Sequence, residues 1–220
     1  AVITTASDVS GNTALDLWIK NNNLTFLSRK TLTRISAKLV QRGHLNCFVD
    51  MEFDGHLPKD ISSVDTPEFA DIIVCHNRYS SIEVEEKLVL QPKNLILGIG
   101  CNRNTSMESI EKCFQQLLER YNLKEKWFVG SASIDLKINE TGLLHFCRNH
   151  GLGVRFYNKT SLNLVQDTSS SIVVFKATGA KGVCEPAAVL GADNGELIIE
   201  KQKWKDVTMA VARKKLRVIT

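Results

Sequence analysis

Hydrophobic positions in the second half of the chain recur with the periods of strands and helices in turn. An apolar run at residues 94–100 predicts a strand, and apolar residues spaced i, i+3, i+4, i+7 over 106–122 predict an amphipathic helix. The pattern beyond them predicts, in chain order, a strand at 127–134, a helix at 141–149, a strand at 153–157, helical pieces at 160–165, 171–177 and 186–190, and a closing hairpin of strands at 196–201 and 207–213.

The first half alternates between the same two periods, though less regularly. The elements predicted there are a strand at 1–5, helices at about 12–20 and 31–42, strands at 45–50 and 71–75, and an edge strand at 83–90. Strands and helices in alternation, closed by a hairpin, are typical of an α/β sheet that is mixed at one edge. We therefore expect two small α/β domains, the C-terminal one a mixed sheet with helices on both faces and a terminal hairpin.

Charge divides the chain near the Gln91-Pro92 dipeptide, which also suits a linker. Residues 1–91 carry 9 Lys and Arg against 12 Asp and Glu, a net charge of −3. Residues 92–220 carry 19 against 12, a net charge of +7. This asymmetry predicts domains at 1–91 and 92–220. Because no aromatic-rich basic stripe accompanies the positive charge, we expect a small anionic ligand for the second domain and no nucleic acid.

The composition is that of an ordinary globular protein, with 43% hydrophobic and 24% charged residues. No apolar run approaches the roughly 20 residues that span a bilayer, and the first residues lack the basic region of a signal peptide. Six scattered cysteines favour reduced thiols, and neither they nor the five histidines have metal-ligand spacing. We expect a cytoplasmic protein with no membrane contact and no metal site; the missing initial Met suggests a fragment or a trimmed chain.

The segment GIGCNRNTS joins the strand at 94–100 to the helix that follows. Glycines allow backbone amides close to a ligand, a helix N-terminus favours anions, and an arginine adds a bidentate cation. The candidate anion-binding residues are Gly98, Gly100, Arg103, Thr105 and Ser106. Arg103 occupies the third glycine position of a dinucleotide-binding loop, which argues against that ligand. A plain strand-to-helix turn that needs only the glycine dihedrals is the alternative. Thr105 and Glu108 have the spacing of a capping box, which predicts the start of the helix.

Acidic residues follow at two later element boundaries. In SIDLKINETGLL, Asp135 and Glu140 lie between a strand end and a helix, where carboxylates serve as acid or base; helix capping and plain solvation would also explain them. In ATGAKGVCEPAAVLG, Glu185 precedes Pro186 and is a further candidate carboxylate. A purely structural role as a helix N-cap is the simpler alternative.

Three further polar residues complete the candidate binding set. Thr178 ends the helical piece before Glu185. Lys201 and Lys203 share one face of a predicted strand, where lysines grip carboxylates or guard an exposed edge equally well. Cys101 stands before a helix start, and a small buried residue is the interpretation we favour.

Four segments in order resemble the C-terminal domain of the cobalamin biosynthesis protein G family, also called cobalt-precorrin 5A hydrolase. They are GIGCNRNTS, SIDLKINETGLL, KATGAKGVCEPAAVLGA and KQKWKDVTMAVAR, and the resemblance covers about residues 92–220. Residues 1–91, opening with VITTASDVSGNTALD, resemble the central region of that family. The family's N-terminal domain is missing from this sequence. Whether the chain is catalytically active without that domain is therefore left open at this point.

The resemblance implies a step of anaerobic cobalamin synthesis, in which a lactone of cobalt-precorrin 5A is opened and acetaldehyde is released. It implies an anionic polycarboxylate tetrapyrrole as substrate, with cobalt carried by the substrate and no other cofactor. Asp135 or Glu140 is then the expected general base, Glu185 a second carboxylate, and the loop at 100–106 an anion clamp. Expected partners are the missing domain or neighbouring pathway enzymes, with self-association left open. The alternative is a non-catalytic corrinoid-binding accessory module.

Overall fold

Two five-stranded sheets organise the protein in a computed structural model that describes residues 11–76, 86–166 and 168–219. The chain divides into a first unit, residues 1–93 with 215–220, and a second unit, residues 94–214. The sequence assigned 215–220 to the second domain, whereas these residues belong to the first unit. The predicted strand at 1–5 and the start of 83–90 lie outside the described residues. Among those described, no helix has the length and apolarity needed to cross a membrane.

The first unit contains two described helices and most of the shorter strands. Its elements are α1 (Leu15–Asn21), β1 (Leu24–Phe26), α2 (Arg29–Arg42), β2 (Leu45–Val49), β3 (Phe53–Gly55), β4 (Ile61–Ser63), β5 (Ile72–Val74), β6 (Leu88–Pro92) and, from the end of the chain, β12 (Leu216–Val218). The larger sheet has the order β1-β6-β5-β2-β4, parallel except for β1. Strands β3 and β12 form a parallel pair.

Strand β6 is an interior strand, so the predicted edge position is wrong. It pairs with β1 on one side and β5 on the other, and all five of its residues are buried. A strand covered on both faces loses the polar alternation that marks an edge. In helix α2, which the sequence predicts, Ser28 caps the N-terminus and Leu32, Ile35 and Leu39 are buried, whereas Val40 is exposed.

The end of the chain returns to the first unit through a buried amide. The side chain of Asn22 donates to the carbonyl of Ile219 at 2.9 Å and accepts from its amide at 2.6 Å. Strand β12 lies just before this contact and pairs with β3. Its three residues carry too short a pattern to predict a strand, and its partner lies at residues 53–55.

The second unit follows the predicted order closely. Its elements are β7 (Leu95–Cys101), α3 (Met107–Arg120), β8 (Phe128–Ile134), α4 (Thr141–Asn149), β9 (Val154–Tyr157), α5 (Lys159–Leu164), α6 (Ile172–Thr178), α7 (Cys184–Gly191), β10 (Glu196–Lys203) and β11 (Val207–Arg213). The sheet has the order β10-β11-β7-β8-β9. Strands β7, β8 and β9 are parallel, and β10 and β11 form the predicted antiparallel hairpin, so the mixed sheet is confirmed.

Alternate residues of β7 face opposite layers of this unit. Leu95, Leu97 and Ile99 pack in one core with residues of α3 and α4, whereas Ile96 packs in another with residues of α5 and α7. This is the period of two that a strand buried on both faces requires. The prediction of helices on both faces of the sheet is therefore confirmed.

A partly buried histidine links the two helices on the first of these faces. His150 Nε2 lies 2.5 Å from Glu111, its Nδ1 lies 2.6 Å from Glu125, and the ring packs on Phe114 and Phe146. Burial disfavours the protonated ring, but the hydrogen bonds and charges of the two carboxylates outweigh it, so the pKa of His150 is raised. Both ring nitrogens then act as donors.

We expect His150→Gln to destabilise the protein more at low pH than at high pH. Because the folded-state pKa is raised, the stabilisation is complete below the ordinary histidine value of about 6.5 and is lost as pH rises through the folded-state value. The cost should be about 2 kcal/mol near pH 6. Denaturant unfolding of wild type and variant near pH 6 and near pH 9 measures it, with the exposed His56→Gln as the control. Equal costs at both pH values would contradict this assignment.

Candidate functional site

A cleft of about 530 Å³ opens at the carboxyl ends of β7 and β8. Ligands of α/β proteins commonly bind at this edge of the sheet. The cleft lies between the loop that leads into α3 and the turn that leads into α4, so both helices begin at its wall. Its lining residues are Arg103, Asn104, Thr105, Ser106, Met107, Glu108, Leu136, Asn139, Glu140, Thr141, Gly142 and His145.

The loop into α3 is held by its own hydrogen bonds. Ser106, not Thr105, caps the helix by accepting from the Ser109 amide at 3.2 Å. The predicted capping box, which has Thr105 as its N-cap, is therefore wrong by one residue. The Thr105 hydroxyl is buried and donates to the Asn102 carbonyl at 2.9 Å. Asn104 between them has φ = 58°, in the left-handed region that asparagine tolerates.

Glu140 fastens this loop to the neighbouring turn. It occupies the N-cap position of α4, yet its side chain makes no capping bond there. One carboxylate oxygen accepts from the Asn104 amide at 2.5 Å, and the other lies 3.1 Å from the Lys137 ammonium. The side chains of Glu140 and Lys137 are only 10% and 11% exposed. Both carboxylate oxygens are therefore engaged in holding the cleft wall.

A glycine allows the same two segments to approach closely. A Cβ on Gly142 would lie 2.1 Å from the Thr105 carbonyl oxygen and 3.0 Å from the Met107 amide nitrogen. These partners are backbone atoms, which cannot rotate away. Gly142 thus lets the first turn of α4 pack directly on the loop into α3.

The cleft also contains groups whose charge is available to a ligand. Arg103 is exposed and makes no ion pair with any described residue. The pKa of Glu108 is lowered, because its carboxylate accepts hydrogen bonds from the Glu108 backbone amide and from the Ser106 hydroxyl. His145, which we did not single out from the sequence, is exposed on α4 and lines the cleft. A single exposed histidine on a helix carries no signal in the sequence, so only the cleft identifies it.

Glu185 lies in a different environment. Helix α7 begins at Cys184 with Val183 as N-cap, so Glu185 is inside the first turn and does not cap it. Its side chain is 3% exposed and accepts from the Ser169 amide at 2.6 Å, from the Ser169 hydroxyl at 2.5 Å and from the Lys201 amide at 2.9 Å. The carboxylate joins a loop to β10, and it does not line the cleft.

The glycines of β7 serve packing against neighbouring elements. A Cβ on Gly98 would lie 1.9 Å from the Cys184 carbonyl oxygen, and one on Gly100 would lie 2.6 Å from Thr208 Oγ1. Neither has a positive φ. The sequence predicts that they bring amides to a ligand, but the space beside them is filled by protein.

The other predicted residues also lie outside the cleft lining. Thr178 donates to the Val174 carbonyl at 2.8 Å and accepts from the Ala180 amide at 3.1 Å, so it closes α6. Asp135 is exposed in a short 3-10 turn, and Lys201 and Lys203 lie on the edge strand β10. Of the predicted set, the structure brings together Arg103, Thr105, Ser106 and Glu140.

Cysteine residues of this unit have raised pKa values, and no metal cluster is found among its described residues. Burial raises the pKa of both Cys101 and Cys184 to about 11, which leaves little thiolate at neutral pH. No disulfide bond joins any two of the six cysteines. Within the described ranges, no group of three or more His, Cys, Asp or Glu residues is arranged to hold a metal ion.

Curated proteins similar to this chain are named as cobalt-precorrin-5A hydrolases. A cobalt-precorrin-5A hydrolase of Priestia megaterium is 33% identical over 229 residues, covering 96% of this chain and 61% of that protein. A probable cobalt-precorrin-5A hydrolase of Methanocaldococcus jannaschii is 25% identical, covering 98% of this chain and 66% of that protein. The chain thus spans slightly less than two thirds of the length of these curated relatives.

A solved structure and a family model each match a little more than half of this chain. The crystal structure of CobE, a protein from the cobalamin (vitamin B12) biosynthetic pathway, matches with a TM-score of 0.52 and 29% identity, covering 56% of this chain and 91% of that one. The family model described as Cobalamin synthesis G C-terminus matches residues 95–212, more than half of the chain. The chain therefore belongs to the Cobalamin synthesis G C-terminus family and, with it, to the proteins of cobalamin biosynthesis.

Proposed function

We propose that this chain hydrolyses cobalt-precorrin 5A, opening its lactone and releasing acetaldehyde to give cobalt-precorrin 5B. The names of the two curated relatives support this reaction. The observation that carries it is the cleft, because two of the segments that resemble the family, GIGCNRNTS and SIDLKINETGLL, meet there and form its walls. Cobalt enters as part of the substrate, and the proposal requires no resident cofactor.

The chemistry of the cleft fits an anionic macrocycle. Arg103 offers two parallel N–H donors to a carboxylate, and the first turn of α4, which no side chain caps, offers backbone amides. Leu136 and Ile138 are 62% and 55% exposed in the turn beside it. An apolar rim next to cationic and amide donors suits a tetrapyrrole that carries acetate and propionate side chains. We assign substrate carboxylate binding to Arg103.

Acetaldehyde release by the full chain tests the proposal. The chain should release acetaldehyde from cobalt-precorrin 5A, and Arg103→Ala should raise KM about tenfold with kcat changed by less than about threefold, since it removes binding common to ground and transition states. Lys176→Ala, which removes an exposed cation of the same unit outside the cleft, should behave as wild type. Absence of acetaldehyde with wild type would refute the reaction.

A non-catalytic corrinoid-binding module is the second candidate. The match to CobE favours it. This match covers 91% of CobE but only 56% of this chain, so a separate protein of the pathway consists of little more than the part that the two share. The same experiment separates the two functions. Binding of cobalt-precorrin 5A that is weakened by Arg103→Ala, without acetaldehyde, would indicate the module.

A further inference from the structure

We infer that His145 is the residue that takes the proton from the attacking water in the cleft. The inference rests on the proposed hydrolysis and names a base for it. Lactone hydrolysis requires a group that accepts a proton from water as water attacks the acyl carbon. Four ionisable side chains line the cleft: Arg103, Glu108, Glu140 and His145. The base should be the one that faces the cleft with an acceptor atom not already engaged by a neighbouring group.

Three of the four are poorly suited to this step. Glu140 has one oxygen on the Asn104 amide and the other beside the Lys137 ammonium, so proton transfer to it would break the contacts that hold the wall. Glu108 binds its proton more weakly than an ordinary glutamate, because hydrogen bonds stabilise its charged form and lower its pKa. Arg103 carries a permanent positive charge and accepts no proton.

His145 has the properties that the others lack. Its side chain is exposed at the cleft, and no hydrogen bond joins it to another described residue. A neutral imidazole presents an acceptor nitrogen to which a water molecule in the cleft can donate. The charged groups of the cleft around it are Arg103, Glu108 and the Lys137–Glu140 pair, which lie on the two segments packed beside the start of α4.

His145 can accept and return the one proton that ring opening requires. As the water oxygen bonds to the lactone acyl carbon, one water proton passes to a ring nitrogen of His145. The acyl C–O bond then breaks, and its electron pair goes to the alkoxide oxygen. The imidazolium returns the proton to that oxygen, which regenerates neutral His145 and leaves a hydroxyl group and a free carboxyl group. Loss of acetaldehyde is a separate, later step: the new hydroxyl group gives up its proton, the C–C bond to the macrocycle breaks, and the macrocycle takes the electron pair and a proton.

The full chain carrying His145→Ala tests the assignment. We expect kcat for acetaldehyde release to fall at least about 100-fold, as is typical for loss of a general base, and added imidazole to restore part of it. His56→Ala, an exposed histidine of the first unit, should leave the rate unchanged. Glu140→Gln, which keeps an acceptor for the Asn104 amide, should keep at least about a third of kcat and raise KM.

A second measurement is independent of turnover. Diethylpyrocarbonate labels exposed histidines, and cobalt-precorrin 5A should protect His145 but not His56 from labelling, as measured by mass spectrometry of the peptides. If wild type releases no acetaldehyde, the proposed hydrolysis is refuted, while the protection pattern still tests whether His145 faces the substrate. A His145→Ala loss below threefold, a folded variant that imidazole does not restore, a 100-fold loss in Glu140→Gln, or unprotected His145 would each overturn the inference.

Discussion

Replacing Glu185 by alanine should lower the free energy of unfolding by about 3 kcal/mol, because three hydrogen bonds to one buried carboxylate are lost together. The Ser169 amide and hydroxyl and the Lys201 amide all donate to it, and the side chain is 3% exposed. Without the carboxylate these donors lose their partner in a poorly hydrated place. For a chain of this size the melting temperature should fall by about 6–12 °C.

Thermal and denaturant unfolding of Glu185→Ala measure this effect. The matched control is Glu200→Ala, which removes an exposed glutamate from neighbouring strand β10 and should shift the melting temperature by no more than about 2 °C. Glu185→Gln retains an acceptor oxygen and should fall between the two. A Glu185→Ala protein that melts with wild type but has lost acetaldehyde release would instead support the catalytic role expected from the sequence.

Gly98→Ala should destabilise the second unit by about 4 kcal/mol or more, because its new methyl group would overlap backbone. The Cβ would lie 1.9 Å from the Cys184 carbonyl oxygen and 2.8 Å from Ala188 Cβ. Neither atom can move by rotating a side chain, so α7 would have to shift away from β7. That shift would separate a core in which Ile96, Ala187 and Ala188 are all buried.

Gly153→Ala is the matched control for this substitution. Its Cβ would meet no atom of a neighbouring element within 4 Å, and the glycine has no positive φ, so we expect a change of less than about 1 kcal/mol. Circular dichroism melts and the soluble yield compare the two variants. If Gly98→Ala melted within about 2 °C of wild type, close packing would not explain the glycine, and a ligand-binding role would regain support.

The second unit could be predicted well because its information is local. Apolar residues of α3 at the helical period, the apolar run of β7 and the turn between β10 and β11 are short-range features of the chain. The first unit was harder. Strands β1, β3, β4, β5 and β12 have three residues each, too few to establish a period. Of these five, only β5 was predicted, because it lies in an apolar run, and β6 is buried on both faces.

The candidate site was predicted only in part, for the same reason. The loop with Arg103, Thr105 and Ser106 was found because glycines, a cation and a helix start are adjacent in sequence. His145 was missed because a single exposed histidine on a helix carries no pattern until the cleft is known. Glu140 was found by its position but assigned the chemistry of a free carboxylate, whereas its partner amide lies 36 residues away.

The sequence by itself determined the α/β class, the order of elements in the second unit and, through four segments, the family. Only the tertiary structure decided what the polar residues do: Glu140 fastens a cleft wall, Glu185 joins a loop to a strand, and Gly98 admits a helix. The physical reason is that helices and strands follow from neighbours along the chain, while a side chain's hydrogen bonds and burial depend on distant residues brought together. The bond between Asn22 and Ile219, 197 residues apart, is the extreme case.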